Sequence, residues 1–196
     1  MDSFTSLPSL PSERRWRGQT APVPVVVGLV RRVAAAGEEL LLIRRADGPY
    51  AGHWALVGGK WDFGETLAAA IEREVAEETG LATVFVALRA LVSERVAPWS
   101  EVEHGAHFLL LVCDLRVSGG EAAEQQEGLV AWFDRVAIDA LHAAGAIIPS
   151  DYAMIREFAA AAGHAPYVEV QMRAGLSGLG GAPSEMVTFR RHDERS

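Results

Sequence analysis

The octet "REVAEETG", Arg73 to Gly80, sets Glu74, Glu77 and Glu78 almost side by side in a chain whose hydrophobic content is 49%. Read as helix at about 100° per residue, the three acids fall within an arc of about 100°, on the flank of an apolar stripe made by Leu67, Ile71 and Val75. Like charges three or four positions apart destabilise a helix by about 0.2–0.5 kcal/mol per pair, and crowding beside apolar surface adds desolvation. Something has to offset that cost. Arg73 reaches Glu77 at i, i+4, but one guanidinium does not neutralise three carboxylates. Hard oxygen ligands on one rigid face suit Mg²⁺, with Mn²⁺ as substitute. Taken alone, such an octet is more often a solvated face. Glu72, which projects to the opposite side, reads that way.

The elements that would position these acids are legible around them. "TLAAAIEREVAEET" is a helical stretch ended by Gly80, and the glycine-punctuated loop "GGKWDFGE", Gly58 to Glu65, leads into it. Upstream, "VPVVVGLVRRV" and "ELLLIRR" read as a hairpin turning at Gly37, with "HWALV" as a further strand. Downstream, "TVFVALRALVSERV" and "AHFLLLVCDLRV" read as long strands separated by "APWSEVEHG", and "GLVAWFD" as a short one. Asp134 is placed to cap a helix through about Ala144, and a second helix is bracketed by Pro149 and Gly163. Strands outnumber helices without regular alternation, so the order predicts an α/β (α+β) fold with a mixed sheet under packed helices.

Three segments are expected. Residues 1–20, rich in Ser, Pro and Arg, read as a poorly ordered tail, and residues 21–165 as the domain. Residues 166–196 hold two strand-like pieces, "YVEVQM" and "MVTFRR". They are expected either to add edge strands or to cross to a second subunit, giving a homodimer in the latter case.

Composition excludes several functions. A formal net charge of -8 is wrong for a general nucleic-acid binder. One cysteine, Cys113, allows no intrachain disulfide and sits in an apolar run that suits a buried small hydrophobe. No segment has the roughly 18 apolar residues of a membrane span, so a cytoplasmic protein with no membrane partner is expected.

From Gly59 the chain runs "GKWDFGETLAAAIEREVAEETGL": Gly59, five residues, Glu65, seven residues, Arg73, Glu74, Val75, one residue, Glu77, Glu78, one residue, Gly80 and Leu81. This resembles the signature box of the Nudix hydrolases at every defined position. Fixed matches at that spacing arise by chance about once in a million chains of this size, which makes the signal strong. One flanking departure is Val57, where many members carry proline.

The resemblance implies an α/β/α sandwich and Mg²⁺-dependent hydrolysis of a nucleoside diphosphate linked to another group, a small nucleotide-type substrate. It implies that Glu74, Glu77 and Glu78 bind metal with the carbonyl of Gly59, and the physics agrees, since phosphoryl oxygens need neutralising and an attacking water needs orienting. Glu65 and Arg73 read as supports tying loop to helix. A general base is sought among Glu77, Glu78, Glu103, Glu124 and Glu127, with Glu127 preferred for its distance from the "WF" pair. Arg44, Arg45 and Trp61, with Trp99, are the candidate substrate contacts, and Pro98 resembles an ADP-sugar mark at an imperfect offset. The rival from another class is a non-catalytic sensor of nucleotides or ADP-ribose, which in this family often shows a degraded box; here the acids are intact.

Overall fold

The β-branched run after Pro22 becomes β1, Val23–Ala34, and returns as β2, Gly37–Arg45. The architecture comes from a computed structural model that describes residues 11–35, 37–48, 50–97, 104–125, 128–160, 163–173 and 185–191. The next elements are β3 (Trp54–Lys60), α1 (Leu67–Thr79), β4 (Ala82–Val96) and β5 (Ala106–Gly119). They are followed by β6 (Gly128–Phe133), α2 (Arg135–Ala143), α3 (Pro149–Phe158), β7 (Val168–Arg173) and β8 (Glu185–Arg191).

Six strands form one sheet in the order β4-β5-β1-β3-β2-β6, with β1 also pairing β2 near their hairpin. Only β1 and β5 run parallel, Val23 standing across from Phe108 and Arg31 from Arg116, so the sheet is mixed as expected. Alternation along β1 divides the core. Val26 and Val30 pack with Leu67, Ile71 and Val75 of α1, whereas Val27 and Leu29 pack with Ile138 of α2 and Ile155 of α3. The sheet therefore lies between α1 on one face and α2 with α3 on the other. Burying each of these large side chains contributes about 1.5–3 kcal/mol.

Helix α1 forms where the sequence signals it. Thr66 accepts a hydrogen bond from the Ala69 amide at 3.1 Å, and Gly80, at φ 74°, takes the left-handed conformation that stops the helix. Leu67, Ile71 and Val75 are all fully buried. Asp134 caps α2 through the Ala137 amide at 2.7 Å. The second bracketed helix is shorter than expected, ending at Phe158 rather than running toward Gly163.

Of the segment expected as a tail, residues 11–19 are attached to the body. Two single turns of 3₁₀ helix, Ser12–Arg14 and Trp16–Gly18, dock on the start of β5. The Trp16 amide donates to the Gly105 carbonyl at 2.8 Å, the Gly105 amide donates to Arg14 at 2.9 Å, and the Trp16 ring meets Phe108 edge-on. The Gln19 side chain closes the attachment through both backbone groups of His107. Composition pointed to disorder, and paired backbone groups with one half-buried aromatic contact outweighed it. Cys113 is fully buried, and its burial pushes the thiol up, away from reactivity. Among the described residues no helix is long and apolar enough to cross a membrane.

Candidate active site

The last residues of β3 and the C-terminal half of α1 meet at two adjacent glycines. Gly58 sits at φ 152°, and a Cβ there would lie 2.1 Å from the Val26 carbonyl oxygen, so only glycine fits. Its amide donates to Glu78 Oε2 at 2.9 Å. Glu78 is buried at 6% exposure, which places one carboxylate of the box in the wall of the core. At Gly59 a Cβ would come within 2.4 Å of Glu74 Oε2 and 2.8 Å of Glu74 Oε1. The missing side chain is what lets the Glu74 carboxylate lie against the backbone.

Arg73 holds the rest together. Its Nε and Nη2 donate to the two oxygens of Glu65 at 2.7 and 2.9 Å, a bidentate pair. Nη1 donates to Glu74 Oε1 at 2.8 Å and to Glu77 Oε2 at 3.2 Å, and Nη2 also reaches the Lys60 carbonyl at 3.2 Å. Asp62 stands 3.9 Å from Nη2. Hydrogen bonding to Arg73 holds the Glu65 carboxyl below its usual range, and Glu65 in turn pushes the guanidinium further up. Glu65 also braces the loop, accepting the Asp62 amide at 3.2 Å on its carboxylate and the Trp61 indole N–H at 3.1 Å on its carbonyl.

Of the residues singled out in the sequence, Gly59, Glu65, Arg73, Glu74, Glu77 and Glu78 are thus brought together. Trp61 is half-buried against the α1 side of the core. Of the two arginines ending β2, Arg44 donates through Nε to the Gly52 carbonyl at 3.0 Å, and the Arg45 Nε is buried with no hydrogen-bond partner among the described residues. Glu124 is exposed in a loop that folds over the end of α1, where the Ala123 amide donates to Thr79 at 2.9 Å. Glu103, Glu127, Pro98 and Trp99 lie outside the described residues. Val57 is fully buried and pairs with Gly28, a strand position with no need of proline.

Three contributors escaped the sequence reading. Glu72 is not a solvated residue: its Oε1 accepts the Phe85 amide at 2.7 Å and ties α1 to β4. Tyr167 and Glu169, a hundred positions downstream, both accept from the Leu67 amide in the first turn of α1, at 3.3 and 3.2 Å. No local signal foretells a partner so far along the chain.

The donor set can be tested for a divalent ion on its own chemistry. Asp62, Glu65, Glu74 and Glu77 surround one guanidinium, and the neighbouring Lys60 is turned away with its Nζ over the Trp16 ring. Negative charge is in excess, the donors are hard oxygens, and the cradle at Gly59 would be filled by any Cβ. These features fit a hard cation. Among the described residues, no three acidic, histidine or cysteine side chains converge closely enough to hold one as they stand.

Comparison with known proteins agrees with the geometry. ADP-ribose pyrophosphatase of Methanocaldococcus jannaschii is 32% identical over 108 residues, covering 55% of this chain and 59% of that protein. The 8-oxo-dGDP phosphatase NUDT18 of Mus musculus is 31% identical over 106 residues, covering 52% of this chain and 30% of that protein. The chain therefore spans less than two thirds of either relative's length. The crystal structure of a MutT protein from Methanosarcina mazei superposes with a TM-score of 0.55 at 24% identity, over 72% of this chain and 96% of that one, which shows the shared fold. The NUDIX domain model matches residues 22–158, and the chain belongs to that family.

Proposed function

We propose that the chain is a divalent-metal-dependent pyrophosphohydrolase that cleaves a nucleoside diphosphate linked to another moiety. The observation that carries this reading is the excess of carboxylate around Arg73, on a helix face pressed against the side-chain-free backbone of Gly58 and Gly59. Glu74, Glu77, Glu78 and the Gly59 backbone would hold Mg²⁺ or Mn²⁺. Such an ion supplies positive charge against the phosphoryl oxygens of the substrate.

The chain's own residues supply the rest. Arg73 and Glu65 hold Glu74 and the loop in register, so that the platform is set before substrate arrives. Hydrolysis forms a bond from water oxygen to phosphorus and breaks the bridging P–O bond. The proton lost by water passes to a carboxylate, for which Glu127 is the preferred acceptor and Glu77 or Glu78 the alternatives within the box. Arg44, Arg45 and Trp61 are the proposed substrate contacts. The printed activities of the two relatives point to ADP-ribose and oxidised nucleoside diphosphates as the first compounds to try.

A second reading, ligand sensing without turnover, draws on one observation: Arg73 already engages Glu74 and Glu77. Product release from a panel of nucleoside diphosphates and nucleotide sugars, with and without Mg²⁺, separates the two. Turnover that vanishes on chelation, and falls about 10²–10³-fold in Glu78→Gln, is the expected result. Binding of panel members without turnover would establish the sensor.

A further inference from the structure

The first turn of α1 carries backbone amides that the helix itself cannot pair. Thr66 takes that of Ala69, and the Leu67 amide is taken from the far end of the chain, by the Tyr167 hydroxyl at 3.3 Å and Glu169 Oε1 at 3.2 Å. Tyr167 donates its own hydrogen to the same Glu169 oxygen at 2.7 Å, so hydroxyl, carboxylate and amide form one closed triangle. Burial, together with the bond to Glu169, pushes the Tyr167 phenol up and keeps it a donor. A carboxylate at this end of a helix is also favoured by the helix dipole.

Both residues are fixed from behind. Glu169 lies in β7, which pairs with β8 in a separate two-stranded sheet. The segment leading to it is fastened to β4, the edge strand of the main sheet: the Ala165 amide donates to the Leu88 carbonyl at 2.8 Å, and the Tyr167 ring meets Phe85 edge-on. The Phe85 amide in turn donates to Glu72 of α1. The helix is therefore held to one strand twice, directly at Glu72 and through Tyr167 and Glu169 at Leu67.

Thr66 alone separates Leu67 from Glu65, whose carboxylate grips Arg73, the side chain that holds Glu74 and Glu77. Among the described residues, the other hydrogen bonds of the loop 61–65 run between its own members, apart from the Trp61 amide on the Pro24 carbonyl at 3.3 Å. A loop so little anchored from outside takes its register from the fixed junction at Leu67. We infer that Glu169, braced by Tyr167, is a positioning residue for the metal platform: by holding the Leu67 amide it fixes the junction of loop and helix, so that Glu65 meets Arg73, and Arg73 meets Glu74, in one arrangement. The inference rests on the metal-dependent reading above. It gives residues a hundred positions beyond the box a task within it.

Isothermal titration of the full chain with Mn²⁺, alongside hydrogen exchange of the metal-free protein, tests this. Glu169→Ala is expected to weaken Mn²⁺ binding about 10-fold and to speed exchange of the amides of residues 61–69 by a similar factor. Glu169→Gln keeps an oxygen acceptor and should restore both to within about threefold of the wild type. Tyr167→Phe, which keeps the ring against Phe85, is the milder second variant and should weaken Mn²⁺ binding about threefold. Ile138→Val loosens the core under α2 on the opposite face and should leave Mn²⁺ affinity unchanged, which separates loss of position from general loss of stability. Unaltered affinity and exchange in Glu169→Ala overturn the inference, as does a Glu169→Gln variant no better than Glu169→Ala. A wild type that binds Mn²⁺ but turns over no substrate would overturn the proposed activity alone, because neither readout needs substrate; one that binds no Mn²⁺ overturns both.

Discussion

Two clusters of charge in this molecule are composed in opposite proportion. Four carboxylates, Asp62 and Glu65 from the loop before α1 and Glu74 and Glu77 from the helix, surround the guanidinium of Arg73. In β5, one carboxylate, Asp114, is held by two guanidiniums: Arg31 Nε at 3.1 Å and Arg89 Nη2 on the other oxygen, with Arg89 Nη1 donating to the Gly163 carbonyl at 2.7 Å. Asp114 is buried, and its acid is fully answered from within the chain. The box is not. A cluster that neutralises itself fastens strand to strand, whereas one left anionic has capacity for a cation from outside. Counting charges of each sign thus separates a structural ion pair from a candidate site more clearly than burial does, since both hold buried acids.

The contrast can be broken by substitution. Asp114→Ala should produce the largest effect, destabilising the fold by about 3–5 kcal/mol because two guanidiniums lose their shared partner, while turnover per folded molecule is unchanged. Chemical denaturation alongside active-site titration reads both quantities. A loss of turnover without a loss of stability would mean the two clusters are not distinct in kind.

Asp151 supplies an intermediate case. Its carboxyl is enclosed and accepts the Leu56 amide at 2.7 Å, and burial pushes it up to about 7. A raised folded-state value means that between about pH 4 and pH 7 the native state keeps a proton the unfolded chain has released. Stability from this group is full below that window and is lost as pH rises through 7. Asp151→Asn, which retains the acceptor, should flatten the decline by on the order of 2 kcal/mol across the window, as measured by denaturation at several pH values.

The smallest effect is expected at Glu65. Glu65→Gln keeps the shape but weakens the bidentate grip on Arg73, and activity should fall about 10-fold with metal affinity weakened in parallel. Isothermal titration with Mn²⁺ measures the second quantity; unaltered affinity and rate would show that Arg73 needs no anchor.

How much of this was legible beforehand follows the range of the interactions. The helix, its cap at Gly80 and its buried stripe are local patterns repeating every three or four residues, so they could be read directly. The box acids stood out because their spacing matches a signature box; their crowding alone read more often as a solvated face. What failed was long-range. Glu72 finds the Phe85 amide, and Glu169 finds that of Leu67, across separations at which composition carries no information. The docking of residues 11–19 was hidden for the same reason, since Gly105 and His107 are distant in sequence.

Strand β3 has one property that reaches past chemistry. Two amides on the same strand, those of Leu56 and Gly58, donate to carboxylates belonging to helices on opposite faces of the sheet, Asp151 from α3 and Glu78 from α1. The two outer layers are stitched through a span of three residues. A shift of β3 would therefore act on both helices at once, because each is fastened to it within those three residues.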